Sequence, residues 1–292
     1  MARLHDDEVP ITTDLARHLI DSQFPSWRAL PIESIGTPGT VNVVYRLGDS
    51  LAIRMPRTGA GARGLLEELK WLPRLAPQLP LRIPSPVATG HPDDRYPLPW
   101  AVYDWIPGRT WSLEHPPDEY EAAGRLAAFV QAMRGIATAG APRSTRDTPL
   151  QRRDAHARRA IAAIDEFDQM ALHQAWERCL AAPAWEGPGV WTHADLLPPN
   201  LLVCDGALTA VLDFGHPGVG DPALDLAPAW TVFGASGRAR FQEVLGGEDS
   251  LWSRAAGYAL FQALLIIPYY RESHPAFTAT AVRTVHEILE YT

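Results

Sequence analysis

The chain has 292 residues, 46% of them hydrophobic, with ten tryptophans: enough apolar material for two cored lobes and too much for a disordered chain. A formal net charge of −8 argues against the basic footprint of a nucleic-acid binder and suits a cationic ligand. Two cysteines, Cys179 and Cys204, support neither a disulfide framework nor a thiolate metal site.

In chain order, Asp14 to Ser22 has helical spacing, with Leu15, Leu19 and Ile20 on one face. From Pro31 to Pro56 the pattern turns strand-like: "PIESIG", "VNVVYRLGD" and "LAIRMP", with Val41, Val43 and Tyr45 alternating and a Gly48-Asp49 turn. The small-residue loop "GTPGT" lies between the first two strands. "GLLEELKWLPRLA" reads as a helix that stops near Pro73 or continues weakly past it. "PSPVATGHP" and "YPLPWAVYDWIPG" supply two more strands, completing a mostly antiparallel sheet with one inserted helix. Helices are then expected in "DEYEAAGRLAAFVQAMRGIATAG", "QRRDAHARRAIAAIDEF" and "ALHQAWERCLAA". Trp191 to Phe214 is strand and loop, and helices follow from Pro222 to Trp230 and from Trp252 onward. The start of the chain, Met1 to Pro10, carries no signal-peptide pattern. Apolar runs fall short of the roughly 18 residues of a membrane span, the longest, Leu260 to Pro268, being broken by Gln262. A cytoplasmic protein without membrane or nucleic-acid partners is therefore expected.

His193, Asp195, Asn200 and Asp213 need a joint explanation. Pro198-Pro199 makes the stretch between Asp195 and Asn200 a rigid loop, because proline fixes φ. Asn200 opens the strand "NLLVC", and Asp213 closes the strand "ALTAVLDFG" after a turn at Gly206, so a hairpin brings the two together. An amide oxygen and a carboxylate side by side suit Mg²⁺, which takes oxygen ligands and completes its shell with phosphate and water. Asp195, just before this pair, is placed to face a substrate hydroxyl. The spacing "HADLLPPN" followed thirteen residues later by "DFG" is that of a phosphoryl-transfer site.

On these motifs the chain resembles the aminoglycoside phosphotransferase family, antibiotic kinases whose fold is similar to that of protein kinases. The likeness extends over nearly the whole sequence through "GTPGTVNVVYRLGD", "LAIRMPR", "WAVYDWIPG" and "GDPALDLA". It implies an α+β, two-lobed kinase-like fold. Residues 1–106 would form the N-lobe and 107–292 a mainly helical C-lobe, with ATP (or GTP) and Mg²⁺ in the cleft. By resemblance, Asp195 is the catalytic base, His193 braces its loop, and Asn200 and Asp213 hold the metal. Glu68 pairs with Arg54, backbone groups of Asp104 and Ile106 meet the adenine with Tyr103 behind it, and Gly36, Gly39 and Thr40 cover the phosphates. The implied reaction moves a γ-phosphoryl group to a hydroxyl of a cationic, aminoglycoside-like acceptor. Macrolides, sugars and amino alcohols are the alternative acceptors, and the protein would be a monomer or homodimer.

Two departures matter. Ala194 stands where the family usually has Gly, and its methyl group is tolerable only if φ is negative. Arg54 stands where related kinases usually carry Lys, a fork in place of a point charge; the chain's single lysine, Lys70, lies on another helix face from Glu68. Asp221 and Asp225 read as an N-cap and a buried brace to the catalytic loop. Trp230, Phe233, Tyr269 and Tyr270 read as helix core. Two rival classes are a phosphohydrolase using His193, Asp195 and Asp213 as metal ligands, and a kinase-fold binding protein without turnover.

Overall fold

The computed structural model describes residues 9–35, 41–215 and 217–291. The chain divides into two compact units, one of Met1–Pro77 with Arg82–Pro107, the other of Gln78–Leu81 with Gly108–Thr292.

The first unit opens with helix α1 (Thr13–Gln23), whose first turn is capped by the Thr12 hydroxyl accepting from the Leu15 N–H. Its buried stripe of Leu15, Ala16, Leu19 and Ile20 joins one core with Val43, Tyr45, Leu47, Ile53 and Met55. Those residues come from β2 (Asn42–Leu47) and β3 (Leu51–Pro56), two strands of a five-stranded antiparallel sheet. The others are β1 (Ile32–Ser34), β4 (Pro86–Gly90) and β5 (Trp100–Asp104), in the order β1-β2-β3-β5-β4. Val41, read as the first residue of the alternation, lies before β2 and is exposed. At the end of β4, Gly90 pairs with Trp100, and the indole lies where a Cβ would be, so only glycine admits the ring. Helix α2 (Gly59–Leu75) runs through Pro73 rather than stopping there. Proline removes one N–H from the last turn, which Leu72 and Leu75 compensate by being fully buried.

The second unit is mainly helical. The two-residue strand β6 (Arg109–Thr110) leads to α3 (Glu119–Gly135), α4 (Leu150–Ala162) and α5 (Gln169–Leu180). Asp118 caps α3 and Asp168 caps α5. Then come β7 (Val190–Thr192), the hairpin of β8 (Leu201–Cys204) and β9 (Ala207–Val211), and β10 (Gly218–Gly220), which pairs with β7. Asp205 and Gly206, both at positive φ, make the hairpin turn that an Asp-Gly pair favours. The stretch expected to be helix from Pro222 is a 3-10 turn over Pro222–Leu226, followed by the short helix α6 (Pro228–Thr231). Helices α7 (Ala235–Leu245), α8 (Asp249–Tyr270) and α9 (Pro275–Tyr291) complete the unit. Trp230 and Phe233 are core, as expected, whereas Tyr269 is exposed near the end of α8.

Helix α8 corrects one reading: with 22 residues it is long and apolar enough to cross a membrane, although no single apolar run in it suggests so. Its apolar window is 67% buried within the fold. It also carries Arg254, ion-paired with Asp221 at 2.8 Å with side-chain exposures of 5% and 4%, as befits a core helix.

Candidate active site

The loop from His193 to Asn200 is set by its neighbours in sequence and by one buried acid. Pro198–Asn200 forms a 3-10 turn, closed by Asn200 N–H donating to Leu197 O at 2.8 Å. His193 is fully buried and both of its ring nitrogens serve the backbone. Nε2 donates to Leu212 O at 2.9 Å, and Nδ1 accepts the Asp195 N–H at 3.2 Å. One imidazole thereby ties the loop of Asp195 to the Leu212 carbonyl just after β9 and fixes its own tautomer.

Asp225 clamps the same loop from the Pro222–Leu226 turn. Its Oδ2 accepts the His193 N–H at 2.8 Å and its Oδ1 the Ala194 N–H at 2.6 Å. Burial pushes the Asp225 carboxyl above its ordinary range, against the opposing pull of His193, the two N–H bonds and Arg134. Asp221, the first residue after β10, caps the turn through the Ala223 N–H. The clamp accounts for a correction: Ala194 has φ +62°, not the negative value its methyl group would prefer. A left-handed alanine costs about 1–2 kcal/mol, and two charge-assisted hydrogen bonds to a buried carboxylate exceed that. Asp213 is also left-handed, at φ +59°, so two of the three non-glycine residues at positive φ among the described residues lie in this site.

Register brings the polar groups together. Leu201 pairs with Val211 across the hairpin, and Leu212 N–H donates to Asn200 O at 2.7 Å, setting Asn200 beside the Leu212-Asp213 step. The Asn200 amide nitrogen donates to Asp195 O at 2.9 Å and to Asp195 Oδ2 at 3.3 Å. With its nitrogen so used, Asn200 presents its amide oxygen on the opposite side, toward a hard cation if one is bound. Asn200 and Asp213 therefore fit Mg²⁺ as an oxygen pair that needs phosphate and water to complete it. Both ring nitrogens of His193 are already engaged by the backbone, which weighs against the reading in which His193 is a metal ligand.

Asp195 has two further partners that its sequence neighbourhood does not announce. Gln262 of α8 donates to Oδ1 at 3.0 Å, and Arg146, from the segment between α3 and α4, lies 3.4 Å from the same oxygen. No spacing rule links residues 67 or 49 positions away from Asp195 in sequence; only the polar break that Gln262 makes in an apolar helix hinted at a role.

In the first unit, Arg54 of β3 reaches Glu68 of α2 at 2.9 Å, with side-chain exposures of 12% and 0%. With its amide oxygen turned to the guanidinium, Asn42 accepts from Arg54 Nη2 at 2.9 Å and Nε at 3.2 Å. Asn42 is opposite Pro56, two residues from Arg54 along β3, so the two side chains share a face. Tyr103, from β5, donates its hydroxyl to Glu68 Oε2 at 3.3 Å, which puts its ring end in this cluster. A fork of donors uses this arrangement where a lysine ammonium would meet only part of it. Asp104 N–H donates to Ser85 O at 2.9 Å, so a base edge meeting Asp104 would use its carbonyl. Ile106 is buried at the end of the same segment. Gly36, Gly39 and Thr40 lie outside the described residues.

The model of the APH family, described as a phosphotransferase enzyme family, matches residues 34–261. The chain belongs to this phosphotransferase family. The match runs from β1 to α8, so it takes in both Arg54 and the loop of Asp195. Among curated proteins the chain is 25% identical over 179 residues to the uncharacterized protein YcbJ of Bacillus subtilis (strain 168), covering 56% of this chain and 58% of that protein, so the alignment spans just over half of that relative's length. Among solved structures it resembles the GDP and kanamycin complex of APH(2")-IIIa, at 20% identity and a TM-score of 0.73, over 95% of this chain and 99% of that one. It also resembles a macrolide 2'-phosphotransferase type I, at 18% identity and a TM-score of 0.65, over 94% and 98% of the two chains. At such identities the likeness establishes the fold: a kinase-like α+β protein with an antiparallel N-terminal sheet and a helical C-terminal part.

Proposed function

We propose that this phosphotransferase moves the γ-phosphoryl group of ATP, with GTP as the alternative donor, to a hydroxyl of a small molecule. The observation that carries this reading is the division of labour at Asn200, whose nitrogen holds Asp195 while its oxygen is left for a cation beside Asp213. Asn200 and Asp213 would hold Mg²⁺, which when bound neutralises charge on the triphosphate and orients it. Asp195, held at Oδ1 by Gln262 and at Oδ2 by Asn200, keeps a lone pair for the acceptor hydroxyl. It orients that hydroxyl and takes its proton as the new O–P bond forms and the bond to the β-phosphate oxygen breaks. Arg54, fixed by Glu68 and Asn42, supplies positive charge for the phosphates.

An aminoglycoside-like antibiotic is the first acceptor class to test: the resemblance and the kanamycin bound by one structural neighbour support it. The macrolide-phosphorylating neighbour supports including macrolides beside sugars and amino alcohols. ATP consumption with Mg²⁺ against such a panel tests the reading, with Asp195→Ala as control. Turnover on one class, reduced about 100-fold or more in the variant, is the expected result. ATP·Mg binding without turnover on any acceptor would favour a catalytically silent kinase fold, and no nucleotide binding would reject the phosphotransferase reading.

A further inference from the structure

The groups around Asp195 include a positive charge that the chemistry described above does not require. Gln262 and Asn200 already orient the carboxylate through neutral amides. Arg146 adds a guanidinium 3.4 Å from Oδ1, with its own side chain 37% exposed against 15% for Asp195. The strand of chain that bears it is cationic: from Arg143 to Arg153 there are four arginines and one carboxylate, Asp147. A cavity of about 290 Å³ opens beside this segment, lined among others by Arg143, Asp147, Trp185, Asp221 and Tyr258. Both carboxylates in it are already paired. Asp147 accepts the Asp221 N–H at 3.1 Å and meets Arg143 at 2.6 Å, while Asp221 is held by Arg254 and by the Ala223 N–H. At Asp195 itself the structure places one cation, Arg146, beside the neutral amides of Gln262 and Asn200.

Resting on the phosphotransferase reading but replacing its cationic acceptor, we propose that Arg146 is a specificity-determining residue that selects the acceptor by charge at the reaction centre. The acceptor hydroxyl that reaches Asp195 is flanked by oxygen, as in a neutral or anionic polyol, and not by an ammonium group. An ammonium on the neighbouring carbon would come against Arg146 and compete with it for Asp195, whereas a hydroxyl, ether or carboxylate oxygen there accepts from the free edge of the guanidinium. The negative charge of the whole chain does not oppose this, because screening leaves the nearest charges to decide at contact distance.

The test uses kanamycin and its fully N-acetylated form, which share their hydroxyls and differ in charge, with the full-length protein, Arg146→Lys, Arg146→Gln and Arg146→Glu. Calorimetry reads binding of each probe in the presence of Mg²⁺ and nucleotide, and ATP consumption reads turnover. The wild type is expected to favour the acetylated probe by about tenfold or more. Arg146→Lys should keep that preference, Arg146→Gln should weaken it and Arg146→Glu should reverse it. An identical preference in the wild type and Arg146→Glu overturns the proposal, and so does equal binding in both, including none in either. Nucleotide binding alone, measured on the same preparations, judges the phosphotransferase reading: its absence would reject that reading, while the comparison of the two probes continues to judge Arg146.

Discussion

Ala194 and Arg54 are two of the positions at which, by the resemblance drawn from its motifs, this chain differs from the expected residue, and each is accommodated by neighbours more than ten positions away in sequence. Ala194 is held left-handed by Asp225, so replacing it with glycine removes the Cβ penalty at the cost of a more flexible unfolded chain. Ala194→Gly should raise stability by about 0.5–1 kcal/mol net, seen as a small upward shift of the thermal midpoint with activity retained. Arg54 neutralises a carboxylate with no exposure of its own. Arg54→Ala should cost about 3 kcal/mol in urea denaturation, because the fully buried Glu68 loses its guanidinium partner. The double variant Arg54→Leu with Glu68→Met should recover most of that loss while remaining inactive. Arg54→Lys should fall between, keeping the charge but forfeiting the double contact with Asn42.

At the scale of elements, the site depends on one turn gripping one loop. The Pro222–Leu226 turn delivers Asp225 under the backbone of His193 and Ala194. Because burial raises the Asp225 carboxyl above its ordinary 3.8, the folded protein holds that proton more tightly than the unfolded chain does. The sign follows: this group's contribution to stability is greatest below 3.8 and declines as pH rises through the window between 3.8 and its folded value. In Asp225→Asn that decline should vanish, so the stability difference between wild type and variant, followed by denaturation at several pH values, should change across this window and level off above it. The variant should also lose activity, since an amide has one oxygen where two N–H groups need acceptors. The elements themselves were largely legible. Helices α1, α3 and α5, the sheet strands and the hairpin follow from periodicity and turn residues. Helix α7 was not, because its stretch from Ala235 to Leu245 buries only Gly237 and Phe241 and so has no apolar stripe to detect.

For the molecule as a whole, the two cysteines report where the second unit is tight. Cys179 is buried in α5, and its thiol is pushed up to about 12 by burial. Cys204, at the end of β8, is half-buried, and its thiol is raised by partial desolvation and the adjacent Asp205. One thiol should therefore react slowly with an aromatic disulfide reagent in the folded protein, and both at once in denaturant. Rapid reaction of both under native conditions would mean that α5 is not packed as described. The fold class was legible through the resemblance that the motifs carry. The sequence by itself determined the hairpin that joins Asn200 to Asp213 and the loop that precedes it, because a rigid Pro-Pro pair and an Asp-Gly turn act locally along the chain. It also determined that Asp221 and Asp225 belong to a cap and a brace. Only the tertiary structure decided what surrounds Asp195: Gln262 and Arg146 are brought there by packing between helices and loops far apart in the chain, and the adjacent Ala194 is held left-handed by Asp225. Such contacts leave no periodic or spaced signal, since their energy depends on which groups meet after folding and not on their separation in sequence.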